Sequence, residues 1–155
     1  MASTTTDFSV IERSLYIDAS PAIVFEVVSR AEHIAEWWSD AAELDLAPGG
    51  TGFVAFGDLE AGGQRVEITV DEAVPGQLFA FRWAYADGAH AGPGNSNLVT
   101  FELSPEGSGT RLRFTETGFT GRDLDDTTAR AVHADHSSGW DYFLPKLAAY
   151  APEVG

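Results

Sequence analysis

The sequence predicts an α+β fold: a curved antiparallel sheet of six to seven strands wrapped around a long C-terminal helix, with two short helices after the first strand. Three observations carry this prediction. The segments between Phe8 and Gly118 alternate apolar and polar residues, the period of a half-buried sheet. From Asp126 onward the apolar residues recur with a helical period instead. Between the first strand and the rest, Ser20-Pro21 opens a short apolar helix. A curved sheet around one helix leaves space between the two, so the pattern describes a container.

The elements follow in order. The first strand is expected over Phe8 to Asp18, with Ile11, Arg13, Leu15 and Ile17 on one face. Ser20 is suited to cap the next helix, because its hydroxyl accepts an otherwise unpaired amide, and Pro21 fits the first helical position. That helix, Ala22 to Val28, is so apolar that it is expected to be buried. A second short helix over Ala31 to Trp38 ends in the pair Trp37-Trp38. Strands are then expected at Ala42 to Leu46, Thr51 to Phe56, Gln64 to Val74 and Gln77 to Tyr85. Turns at Pro48-Gly49-Gly50, Asp58 to Gly63 and Pro75-Gly76 separate them.

Ala86 to Ser96, rich in Gly, Ala and Asn, predicts a mobile loop. Two more strands follow, Asn97 to Leu103 and Thr110 to Gly118, joined by a turn over Pro105 to Gly109. The second turns Leu112, Phe114 and Glu116 inward. The last helix starts near Asp126-Thr127, either of which could cap it. Its apolar face collects Ala129, Val132, His136, Trp140, Phe143, Leu144, Leu147 and Tyr150. Gly139 and Pro145 interrupt that face and predict a bend.

The composition bounds the function. At 155 residues the chain is long enough for one sizeable core, expected over residues 8–151 behind a flexible tail at 1–7. Nine basic against 24 acidic residues give a net charge of −15 and no basic stripe, which argues against nucleic acid as a partner. Membrane insertion is not expected, since no apolar run approaches the roughly 18–20 residues of a span. No basic-then-apolar leader opens the chain, so the cytoplasm is the expected location. The absence of cysteine excludes disulfides, thiolate metal sites and cysteine nucleophiles. Gly49-Gly50 precede no helix and no serine stands in a G-x-S-x-G context, so neither a phosphate cradle nor that type of hydrolase is indicated.

Several motifs in this order carry a resemblance. Ser20-Pro21-Ala22-Ile23-Val24-Phe25, the Trp37-Trp38 pair and Pro48-Gly49-Gly50 come first. Val99-Thr100-Phe101-Glu102-Leu103 and Gly109-Thr110-Arg111-Leu112 follow, and His136-x-x-Gly139-Trp140 with Leu144 and Leu147 closes the chain. Over Phe8 to about Ala151 the sequence resembles the START-related superfamily of lipid-transfer proteins, pollen allergens and polyketide cyclases, which share the helix-grip fold. Within it the sequence looks like the branch named for the activator of the heat-shock chaperone ATPase. The resemblance implies an apolar ligand held between the long helix and the sheet.

On that fold the candidate ligand-binding residues are Arg13, Trp37, Trp38, Phe53, Phe81, Trp83, Phe101, Phe114, Glu116, His136, Trp140 and Phe143. Phe56 adds to the same aromatic surface. Indole nitrogens of Trp37, Trp38 or Trp83 could donate to a ligand carbonyl if they point inward. Arg13 and Glu116 lie on apolar faces of strands that the fold sets side by side, and a buried charge is costly unless paired. The two are expected to meet each other, to meet polar groups of a ligand, or to reach solvent at a strand end. His136, embedded in the helix face, is either a core histidine bonded to a backbone carbonyl or to Ser137, or a proton carrier, since histidine titrates near neutrality.

Glu116 and His136 are therefore the candidate catalytic pair. His133 stands close enough to His136 to share a metal, but a zinc site needs at least three protein ligands and no third is evident. No metal or other cofactor is expected. The glycine-bearing loop Ala86 to Ser96 is a candidate gate at the cavity mouth.

Three functions compete. The first is binding of a small hydrophobic ligand, lipid-like or aromatic and polyketide-like. The second is a polyketide cyclase or aromatase acting in the same cavity. The third is a chaperone-accessory interaction module, which predicts a filled interior and an exposed apolar patch. A monomer is expected, or a weak homodimer paired through an edge strand.

Overall fold

The computed structural model describes residues 8–47, 49–57, 62–84, 91–92, 94–122 and 124–154. Its elements are β1 (Val10–Ile17), α1 (Pro21–Ser29), α2 (Ala31–Trp37), β2 (Ala41–Leu44), β3 (Thr51–Phe56), β4 (Gln64–Val74), β5 (Leu78–Trp83), β6 (Asn97–Glu106), β7 (Gly109–Thr117) and α3 (Asp126–Val154). The seven strands form one antiparallel sheet in the order β1-β7-β6-β5-β4-β3-β2. The fold is the expected α+β arrangement, with α1 and α2 between the two edge strands and α3 packed in the curve of the sheet.

Local chemistry accounts for most boundaries. The Ser20 hydroxyl accepts from the Ile23 amide at 3.3 Å, and Pro21 opens α1. The expected caps of α3 give way to their neighbour: the Asp125 carboxylate accepts from the Thr128 amide at 2.7 Å. That bond holds the Asp125 carboxyl below the usual carboxylate range. Strand β6 runs three residues further than the alternation suggests, through Pro105 to Glu106. Beyond Glu102 it has left its β5 partner, so the missing Pro105 amide faces no neighbouring strand. A two-residue turn then joins Glu106 to Gly109, with Gly107 at φ 58° in its first central position.

Helix α3 stays continuous through Gly139, Pro145 and Pro152 for 29 residues, about 43 Å. Pro145 deprives the Asp141 carbonyl of its donor, but Asp141 is exposed and water can replace it. The buried stripe of the helix is Ala129, His133, Trp140, Leu144, Leu147 and Ala151, with Val132, Phe143 and Tyr150 half-buried. His133, not His136, is thus the histidine sunk deepest in the helix face.

Aromatic rings fill the space between helix and sheet. Trp38 sits at their centre, with ring centroids 5.1 Å from Trp140, 5.3 Å from Trp83, 5.7 Å from Phe81 and 5.9 Å from both Trp37 and Phe56. Trp140 also packs at 4.6 Å on Phe114. Fully burying such a side chain contributes about 1.5–3 kcal/mol, so this cluster anchors α2 and α3 to the sheet. It also occupies much of the room that the fold leaves for a ligand.

Candidate functional site

Strand alternation turns Glu116 inward beside Leu112 and Phe114, and it is 0 % exposed. Four N–H groups converge on its carboxylate. Oε2 accepts from Trp83 Nε1 at 2.7 Å and from Asn97 Nδ2 at 3.0 Å, and it lies 2.7 Å from His136 Nδ1. Oε1 accepts from Trp140 Nε1 at 2.8 Å. Indole and amide N–H groups can only donate, so both carboxyl oxygens must act as acceptors. With the carboxylate as acceptor throughout, His136 donates from Nδ1. Its Nε2 is left for whatever lies beside the helix.

A second layer fixes this arrangement. Arg122 donates from one guanidinium nitrogen to Asn97 Oδ1 at 2.9 Å, which orients the amide toward Glu116. Its other nitrogen donates to the carbonyls of Ala84 and Asn95, at 2.9 and 2.7 Å. Ala84 carries φ 62°, the one non-glycine left-handed residue among those described, a conformation costing about 1–3 kcal/mol that such bonds sustain. Gly118, at φ 104°, lets β7 leave past Asn97: a Cβ there would lie 2.7 Å from the Ser96 carbonyl. Phe119 is wedged between the two helix histidines, its centroid 5.0 Å from His133 and 5.6 Å from His136.

The two inward charges do not meet. The register of β1 on β7 sets Ile11 opposite Glu116 and Arg13 opposite Phe114. Arg13 instead forms a two-bond pair with Asp141 on α3, at 2.7 and 3.2 Å, where the guanidinium is 33 % and the carboxylate 60 % exposed. This is the solvent-reaching outcome, and the Arg13 hydrogen bond holds the Asp141 carboxyl below its usual range. Among the described residues His136 is bonded to neither a backbone carbonyl nor Ser137. The backbone-bonded histidine is His133, with Nε2 2.8 Å from the Val10 carbonyl. The two rings serve different partners, and no cluster of three potential metal ligands exists among the described residues.

Beside His136 lies a cleft of about 250 Å³, bounded by Trp38, Phe56, Gln64, Val66, Trp83, Ala84, Asp135, Gly139, Trp140 and Phe143. Of the twelve candidate ligand residues, Trp38, Trp83, His136, Trp140 and Phe143 line it. Glu116 stands behind His136. Phe81, Phe101, Phe114 and Trp37 belong to the core rather than to the cleft wall. The indole nitrogens of Trp37 and Trp83 are engaged inside the protein, Trp37 donating to the Val27 carbonyl at 2.9 Å and Trp83 to Glu116. Phe53 is on the opposite face of β3 from Phe56, under the Arg65 guanidinium at 4.2 Å. Most of the candidate gate, residues 86–90 and 93, lies outside the described residues, as does most of the turn expected from Asp58.

Sequence reasoning missed the residues that support or open the site. Asn97 and Arg122 carry no motif, because their role depends on a crossing of β6, β7 and the segment after it. Gln64, Val66, Ala84, Asp135 and Gly139 line the cleft by proximity alone. Phe56, already read from the sequence as part of the aromatic surface, is the one that lines the cleft in place of Phe53, because the period of two puts it on the same face as buried Val54 and opposite Phe53.

No curated protein matches the sequence significantly. Solved structures do match in fold. Protein MLL2253 from Mesorhizobium loti is similar with a TM-score of 0.74 at 19 % identity, covering 94 % of this chain and 98 % of that one. The Aha1 protein of Colwellia psychrerythraea, a dimer in solution, gives 0.64 at 20 % identity over 90 % and 92 % of the two chains. DynU16, a protein of the dynemicin biosynthetic locus, gives 0.68 at 22 % identity over 92 % of this chain and 46 % of its own. The family model for Activator of Hsp90 ATPase homolog 1-like protein matches residues 18–151. That span takes in α1 through most of α3, and with it every residue that lines the cleft. The chain belongs to the Activator of Hsp90 ATPase homolog 1-like family.

Proposed function

We propose that the protein binds a small, ring-bearing apolar molecule in the cleft beside α3, with His136 as its polar contact. The observation that carries this reading is the wall itself. Five aromatic side chains surround one half-buried imidazole whose Nδ1 is already held by Glu116. Binding pockets have this composition, mostly apolar with one or two placed polar groups. The volume narrows the ligand. A cavity of about 150 Å³ takes benzene, so 250 Å³ suits a group of about two fused rings better than a long acyl chain.

The test uses Gly139, which lines the cleft and where an added Cβ would meet nothing within 4 Å. Gly139→Leu is expected to fill the cleft without disturbing the fold. Native mass spectrometry of gently purified protein, with naphthylethanol added where no molecule is retained, is expected to show one ligand per chain. The ligand is expected to be lost in Gly139→Leu. Equal occupancy of the folded variant, or no uptake by the parent, overturns the proposal.

One observation favours a second reading, an enzyme of the cyclase or aromatase kind working in the same cleft. A buried carboxylate orients the His136 ring, which is how a general base is held in one tautomer. The likeness in fold to a protein of a biosynthetic locus supports the same reading. His136→Asn would then abolish turnover of a bound substrate while leaving its affinity within a few fold.

A further inference from the structure

We infer that the cleft selects a ligand bearing a protonated amine and discriminates against carboxylates and phosphates. This inference rests on the reading of the cleft as a ligand site and adds the charge of the occupant. Among the described residues, the ionisable groups lining the cleft are Asp135 and His136, and no arginine or lysine does. Asp135 is exposed at the mouth and has no ion pair among the described residues.

The Arg122 guanidinium, bonded to the Ala84 carbonyl, is engaged by Asn97 Oδ1 and the Asn95 carbonyl as well. Arg65 is on the other face of the sheet, over Phe53. Among the described residues an anionic ligand would therefore meet no arginine or lysine in the cleft wall, one carboxylate at the entrance and a second behind the imidazole.

A cation finds the opposite. Trp38, Trp83 and Trp140 line the cleft, and indole rings attract an ammonium group through their π systems, an attraction that strengthens as water is excluded. In its neutral form, with Nδ1 donating to Glu116, His136 carries a lone pair on Nε2, the acceptor that an ammonium N–H requires. The net charge of −15 raises the local concentration of cations around the whole molecule. Ring surface, acceptor and field all specify the same ligand class, an aromatic or ring-bearing amine.

Three probes with one apolar body decide the question: naphthylethylamine, naphthylethanol and naphthylacetate, titrated calorimetrically into the full chain at neutral pH and low salt. The amine is expected to bind at least about tenfold more tightly than the carboxylate, with the alcohol between them. Asp135→Asn is expected to reduce that ratio by about threefold to fivefold, the size of one charge acting at short range through water. Added salt is expected to reduce it as well. Equal affinities for the three probes, or tighter binding of the carboxylate, overturn the inference while the cleft remains a ligand site. Failure of all three to bind overturns the inference and the binding proposal together.

Discussion

Glu116→Gln is the perturbation that most directly probes the centre of this site, because it removes a charge and one acceptor while keeping the volume. Three of the four donors, Trp83, Asn97 and Trp140, cannot become acceptors. A glutamine amide nitrogen in the Oε2 position would face two of them. In the Oε1 position it would face the Trp140 indole alone, so that orientation costs less. It leaves at least one buried donor unpaired, about 1–3 kcal/mol, and turns the bonds from Trp83, Asn97 and His136 from charge-assisted into neutral ones, about 1 kcal/mol each. Relief of the cost of burying a charge offsets part of this.

The net expectation is a loss of about 3 kcal/mol. For a protein of this size that lowers Tm by about 6–12 °C. Thermal unfolding followed by circular dichroism checks the value, with the near-UV band reporting the tryptophans. A double-mutant cycle with Trp140→Phe, which removes the stranded donor, should show a coupling of about 1–2 kcal/mol. A Glu116→Gln protein melting within about 2 °C of the parent would refute the reasoning, since the carboxylate would then contribute no more than a neutral isostere.

Two further outcomes are expected. Gly139→Ala should stabilise the protein by about 0.8–1 kcal/mol, seen as a rise of about 2–4 °C in Tm, because alanine is the better helix former and its methyl enters open space. Asp141 gives a pH-dependent effect of known sign. Its carboxyl is held below the usual range by the Arg13 hydrogen bond, so its contribution is present above the unfolded value near pH 4 and is lost as the pH falls through the lower folded value. Asp141→Asn should therefore cost up to about 1 kcal/mol at neutral pH, a small figure because the pair is partly exposed and screened, and nothing near pH 2. Melting curves of parent and variant across that range check the convergence.

Reasoning from the residues reached the fold because the signals that specify it are local. A period of two put Glu116 on the same face as Leu112 and Phe114, and the structure keeps it there. The Ser20-Pro21 start, the apolar α1 and the Trp37-Trp38 pair each act within a few residues, and each stands where it was expected. What the alternation of β7 could not supply was a partner for the charge it buried. Arg13 shares the apolar face of β1, and adjacency in the sheet made it the natural candidate. The register places it one inward position away from Glu116 and within reach of α3 instead.

The same division holds along the helix. Its apolar stripe was legible, but a step of one residue turns a side chain by about 100°, so the stripe alone could not say which histidine faces the core. Docking against β1 and Phe119 buried His133, and docking against β7 aimed His136 at Glu116. The cleft belongs to the tertiary structure altogether. The sequence by itself determined which faces of the strands and helix are apolar, because periodicity is a property of neighbouring residues. The rings that fill the interior, those left to line a cavity and the donors that close on Glu116 follow from how elements far apart in the chain pack together, which no local pattern encodes.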